Sequence, residues 1–97
     1  MEYAMQLRPG EVIGHRSRML VEFVMFDGEK TVHCAVSDEA LDKLEGSSNT
    51  TAQERVAQFE RNHKTVEELA LRKFLAGRLE AATEPFAVLV RSTDIRR

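Results

Sequence analysis

The sequence predicts an α+β fold: a small antiparallel β-sheet (a hairpin plus a C-terminal strand, with a candidate N-terminal strand) covered by two or three helices. Three observations carry this. Alternating apolar residues flank Asp27-Gly28, apolar residues recur at helical spacing from Thr51 onward, and a Val-rich run follows Pro85. At 97 residues the chain has the length of one domain, 1–97, with its core expected roughly over residues 18–91. Hydrophobic residues make up 42% and charged residues 31%, a globular balance rather than a disordered one. With five Phe, one Tyr and no Trp, the core must come mainly from Val, Leu, Ala, Met and Phe.

At the N-terminus, Tyr3, Met5 and Leu7 alternate with Ala4, Gln6 and Arg8, an edge-strand pattern that Pro9-Gly10 should end. Residues 11–17, without periodicity, read as a connection. From Arg18 the alternation is clear: Met19, Val21, Phe23 and Met25 share one face, as do Val32, Cys34 and Val36 after the turn. With Asp27-Gly28 as a two-residue type I′ corner, Phe23 pairs with Val32, Val21 with Cys34 and Met19 with Val36. An odd loop would turn the apolar sets to opposite faces, so the pattern selects an even one.

Ser37 is a favoured N-cap, Asp38 and Glu39 suit the positive end of a helix dipole, and Gly46 suits the left-handed position after a short helix. Residues 46–50 form a polar loop. Thr51 and Glu54 make a capping box for a helix carrying Ala52, Val56 and Phe59. A second box, Thr65 to Glu68, predicts a new helix from near Val66, with Leu69, Ala70, Leu71, Phe74, Leu75, Gly77 and Leu79 on its buried side. Gly77 there implies close contact with a neighbouring element. Phe86 to Val90 is expected to be an inner or well-covered strand, and Arg91–Arg97 a polar tail.

Two segments also carry a resemblance. Cys34-Ala35-Val36-Ser37, followed by Glu39-Ala40-Leu41, resembles a C-A-[IV]-S-x-E-[AS]-L signature. Phe59 and Asn62-His63, with Val66-Glu67-Glu68 before Ala70, resemble F-x-x-[NQ]-H/R leading into an acidic-apolar helix. In this order and spacing, over roughly residues 18–75, they look like the bacterial domain-of-unknown-function family 1488. The resemblance implies a small bacterial α+β domain with no assigned activity, and it carries over no catalytic residue.

The formal net charge of −2 leaves the protein as a whole without electrostatic attraction to nucleic acid or acidic membrane. The charge is uneven: residues 1–50 hold five Lys/Arg against nine Asp/Glu, and residues 51–97 hold nine against seven. A nucleic-acid-binding module built on the basic C-terminal half (Arg61, Lys64, Arg72, Lys73, Arg78, Arg91) is therefore a rival reading. It lacks the aromatic interleaving that stacks bases, so nucleic acid is not the expected partner. No apolar run reaches the ~18–20 residues needed to span a bilayer. MEYAMQLRPGE lacks the basic-then-apolar order of a signal peptide. The single Cys34 cannot form an internal disulfide, which fits a reducing, cytoplasmic location.

No catalytic, cofactor-binding or metal-binding residue is assigned, and no cofactor is expected. Cys34 faces apolar partners in the predicted hairpin, so a buried, inert thiol is expected; an enzyme with an unrecognised site around Cys34 is a second rival. His15, His33 and His63 lack ligand-type partners at helical spacing apart from Glu60 and Glu67 beside His63, a single Glu-x-x-His pair where a di-iron bundle needs two; His63 should instead bond a terminal carbonyl near the helix break. Glu67 and Glu68 diverge by about 100° on a helix and share no substrate. The expected function is therefore non-enzymatic, by binding or self-association. The candidate interaction surface is the non-core hairpin face: Leu20, Glu22, Val24, Phe26 and His33. A homo-oligomer is the expected assembly.

Overall fold

The computed structural model describes residues 7–16, 19–47 and 50–95. Six elements follow in order: β1 (Leu7–Arg16), β2 (Leu20–Asp27), β3 (Lys30–Ser37), α1 (Asp38–Glu45), α2 (Arg55–Leu75) and β4 (Val88–Val90). Short 3-10 turns at Ala52–Glu54 and Ser92–Asp94 complete the path. The strands form one sheet in the order β1-β2-β3-β4. Strands β1, β2 and β3 are antiparallel as expected, but β4 runs parallel to β3. The sheet is thus mixed, because α1 and α2 form the crossover that a parallel return requires. β4 is an edge strand rather than an inner one, yet Val88 and Val90 are fully buried.

β1 corrects the reading of the N-terminal region. The strand runs through Pro9-Gly10 and takes in residues 11–16, which the sequence reading made a connection; Tyr3 and Met5 lie outside the described residues. Proline is tolerated because this is an edge, where a missing N–H costs no ladder bond. The pairing shifts between Pro9 and Val12 and again between Val12 and Gly14. A Cβ on Gly10 would stand 2.6 Å from the Val24 carbonyl oxygen, so only glycine permits this crossing.

The hairpin has the expected even loop, displaced by one residue. Asp27 pairs with Lys30, which makes Gly28-Glu29 the corner, and the core pairs become Val21–Val36, Phe23–Cys34 and Met25–Val32. Gly28 has φ 63 and Glu29 has no positive φ, the type II′ pattern. A corner at Asp27-Gly28 would have forced Asp27 into the left-handed region as well. The shift seats Met25 in the core and expels Met19, which becomes a turn residue at φ 63, 63% exposed.

The N-cap of α1 is as expected: the Ser37 hydroxyl accepts the Ala40 N–H at 3.1 Å, and Gly46 takes the left-handed conformation. At Thr51 the Glu54 carboxylate accepts the backbone N–H at 3.0 Å. The expected break at Thr65 is absent: α2 is one helix of 21 residues. Phe59, Val66 and Ala70 lie on one uninterrupted face against the sheet, and that packing overrides the local capping motif. His63 therefore sits in mid-helix and meets Glu67 Oε1 at 3.1 Å instead of a terminal carbonyl.

α2 ends earlier than predicted. Gly77, at φ 72, has no atom near its missing Cβ and so makes no close contact. It is a terminator: Arg78 N–H bonds the Lys73 carbonyl at 2.9 Å and Gly77 N–H bonds that of Phe74 at 3.1 Å, a Schellman ending. Leu75 and Leu79 consequently fall outside the core and are more than half exposed.

One core joins both layers, from Val21, Phe23, Met25, Cys34 and Val36 across to Ala40, Leu41, Phe59, Val66 and Ala70. The rings of Phe23 and Phe59 lie 4.9 Å apart, a tilted pair worth about 1 kcal/mol beyond its buried area. No helix among the described residues is long and apolar enough to cross a membrane.

Candidate interaction surface

The helices share their core with one face of the sheet, so among the described residues the other face has only strand-flanking chain for cover. There a small cluster forms from Leu20, Ala35 and Phe86, with Leu89 packed against it. Leu20 is 7% exposed and drops out of the expected wet surface. Phe86, brought over this face by the chain leading into β4, packs in the same cluster. Val24 and Phe26 are half-buried beside Gly10 of β1. Glu22 is half-buried and engaged within the chain. His33 is exposed, while its carbonyl accepts the Ala87 N–H at 2.7 Å. The structure therefore brings Val24, Phe26 and His33 together on an accessible face. Beside them is a recess of about 350 Å³ between Thr31, His33, Leu79, Ala81, Ala82 and Pro85.

Cys34 lies on the opposite, core side and is fully buried. Its thiol points at the Val32 carbonyl oxygen, 3.7 Å away, and burial pushes its pKa up to about 12. A thiol so far from ionisation is no nucleophile at neutral pH. No three of the His, Cys, Asp and Glu side chains among the described residues are grouped to hold a metal ion.

Between α1 and α2 runs a polar ladder that sequence reasoning missed. Arg55 and Gln58 are buried, and both reach Asp42: Arg55 Nη1 at 2.6 Å and Gln58 Nε2 at 3.1 Å. Arg55 Nε also approaches Asp38 Oδ2 at 3.4 Å, and His15 Nε2 on β1 meets the same oxygen at 2.8 Å. One turn on, Glu45 accepts from Arg61 Nε at 2.8 Å and Asn62 Nδ2 at 2.9 Å. The Arg61 bond, helped by Asn62 and Gln58, holds the Glu45 pKa at about 2. Burial pushes Asp42 up, but bonds from Arg55 and Gln58 outweigh it and leave Asp42 below the usual carboxylate range. The spacing was visible: Asp38, Asp42 and Glu45 form one stripe on α1, and Arg55, Gln58 and Asn62 a complementary stripe on α2. These groups satisfy one another, so the ladder is a clasp between helices rather than a reactive centre.

Ion pairs also engage several cations of the C-terminal half. Arg55, Arg61, Lys73 and Arg91 are tied to Asp42, Glu45, Asp94 and Glu80 respectively. Among the described residues of this half, Lys64, Arg72 and Arg78 are the other exposed cations.

Comparison with curated proteins gives no match. Among solved structures, the chain is similar to a protein of unknown function from the DUF1488 family of Shewanella loihica PV-4, known from a crystal structure at 1.60 Å resolution. The TM-score is 0.76 at 13% identity, over 93% of this chain and 94% of that one, a likeness of fold. The family described as protein of unknown function (DUF1488) matches residues 15–83, which include both motifs quoted above. By that match the chain belongs to the DUF1488 family.

Proposed function

We propose that this protein acts by binding rather than catalysis, and that its outer sheet face docks a second copy of the same chain. The observation that supports this is the one-sided placement of the helices, which leaves Val24, Phe26 and His33 on an accessible, mainly apolar face. The chemistry of that face suits a copy of itself. A two-fold contact sets each residue against the same surface, so unneutralised charge there would repel. Glu22, the formal charge of the predicted set, is already engaged within the chain. The recess lined by Leu79, Ala81 and Pro85 extends the apolar area beyond the strands. A buried, protonated Cys34 is compatible with the reducing cytoplasm as the setting.

Sedimentation velocity over a concentration series tests the reading. The expected result is a dimer mass that dissociates on dilution, and a monomer for His33→Glu, which places a charge on an exposed position without touching the core. A strict monomer at every concentration overturns the proposal, as does a His33→Glu dimer of unchanged strength.

A further inference from the structure

We propose that a second site, on the helical side of the molecule and independent of the self-association reading, binds an acidic peptide segment bearing apolar side chains. A groove of about 670 Å³ lies between the C-terminal half of α2 on one wall and, on the other, the end of α1 and the Ser92–Asp94 turn. The α2 wall is formed by Asn62, Thr65, Leu69, Arg72 and Ala76. These residues recur every three or four positions and so make one straight face, which at 1.5 Å per residue runs about 21 Å. That length suits about six residues of extended chain better than a compact metabolite.

The charge of the groove is one-sided. Arg72, Lys73 and Arg78 line it against a single carboxylate, Asp94. Asp94 is fully committed: its Oδ2 accepts from Lys73 Nζ and from the Arg91 N–H, each at 2.8 Å, and its Oδ1 is 4.0 Å from Arg78 Nη2. Lys73 is committed as well, since Nζ also donates to the Leu89 carbonyl at 2.8 Å. The cations whose guanidinium groups remain accessible to a ligand are Arg72 and Arg78, the latter 4.0 Å from Asp94 yet with 66% of its side chain exposed. Guanidinium groups clamp carboxylates in bidentate fashion. The half-buried Leu44 and Leu69, facing each other from the two walls, supply apolar surface. A bare anion would leave that surface unused, whereas alternating acidic and apolar side chains would use both. Among the described residues that line the groove there is no aromatic side chain on which a nucleobase could stack.

Fluorescence anisotropy with a labelled Glu-Leu-Glu-Leu-Glu-Leu peptide tests the site on the full chain. Saturable binding is expected, weakening as salt rises, and at least tenfold weaker in an Arg72→Glu, Arg78→Glu double variant. Both positions are exposed, so the double variant should keep its circular dichroism; loss of Arg78 beside Asp94 should lower its melting temperature only slightly, because Lys73 and the Arg91 N–H still hold that carboxylate. A Lys-Leu peptide of equal length should bind the double variant better than the parent chain. The proposal is overturned by an absence of saturable binding, by undiminished binding in the double variant, or by inorganic phosphate or a single-stranded oligonucleotide competing as well as unlabelled peptide does. The last result would reduce the groove to a general anion attractor.

Discussion

Lys73 Nζ lies 2.8 Å from Asp94 Oδ2 and 2.8 Å from the Leu89 carbonyl oxygen, which ties the end of α2 to β4 and to the turn that follows it. Both side chains are about nine-tenths buried, so each neutralises a charge that would otherwise be stranded. The two partners are not equivalent. Without Lys73, Asp94 keeps the Arg91 N–H and the nearby Arg78; without Asp94, the Lys73 ammonium keeps only a carbonyl. Asp94→Ala should therefore destabilise by about 3 kcal/mol, the usual scale for a broken buried pair, and Lys73→Met by clearly less. Urea unfolding of the two variants checks the order. Equal losses would show that the pair carries no asymmetry.

Acid should loosen the contact between α1 and α2. Glu45 has a folded-state pKa of about 2 against an ordinary 4.5, chiefly through the Arg61 bond, and Asp42 and Asp94 are shifted in the same direction. A carboxyl depressed by folding contributes stability above its unfolded value, and that stability is lost as pH falls through the folded one. For Glu45 the loss spans about pH 4.5 down to 2. Unfolding midpoints measured in that window should fall steeply for the parent chain and less steeply for Glu45→Gln. Parallel slopes would remove Glu45 from the account.

What the sequence made legible was local. Ser37, Gly46 and the Thr51–Glu54 box act on backbone groups within four residues, so their roles follow from spacing alone. The β2 and β3 alternation identified the buried face but not the register, because sliding the pairing by two residues keeps every side chain on its face. Only the turn chemistry at Gly28 and the fit of Met25 chose between the alternatives. Thr65-x-x-Glu68 looked like a helix start because a capping box and a helix interior can share one pattern. The face running from Phe59 through Val66 decided for the interior. On the outer face, Leu20 was misjudged because Phe86, far along the chain, arrives there only through the parallel return into β4.

Cys34 should behave as a sensor of unfolding. Fully buried, with its pKa raised to about 12 by burial, it offers almost no thiolate at neutral pH. Alkylation by iodoacetamide should be slow in the native chain and fast in denaturant. Its native rate should rise in Asp94→Ala as the unfolded fraction grows. Rapid labelling of the native parent chain would contradict the buried placement and reopen an active cysteine.

Gly10→Ala tests the tight crossing of β1 over β2. The added Cβ would fall 2.6 Å from the Val24 carbonyl oxygen, 2.9 Å from Phe26 Cε2 and 3.0 Å from Val24 Cγ2. The side-chain atoms can rotate away, but the carbonyl belongs to a strand paired on both sides and cannot. The strands must separate, and overpacking of this kind costs about 1–3 kcal/mol. Amide exchange should quicken along β1 and at Val24 while the core pair Phe23–Cys34 stays protected, because the strain acts at the edge and not in the shared core. If self-association uses Val24 and Phe26, the same variant should also weaken the dimer, whereas Gly46→Ala, strained at φ 68 where α1 ends on the helical side of the sheet, should lower stability and leave the dimer intact.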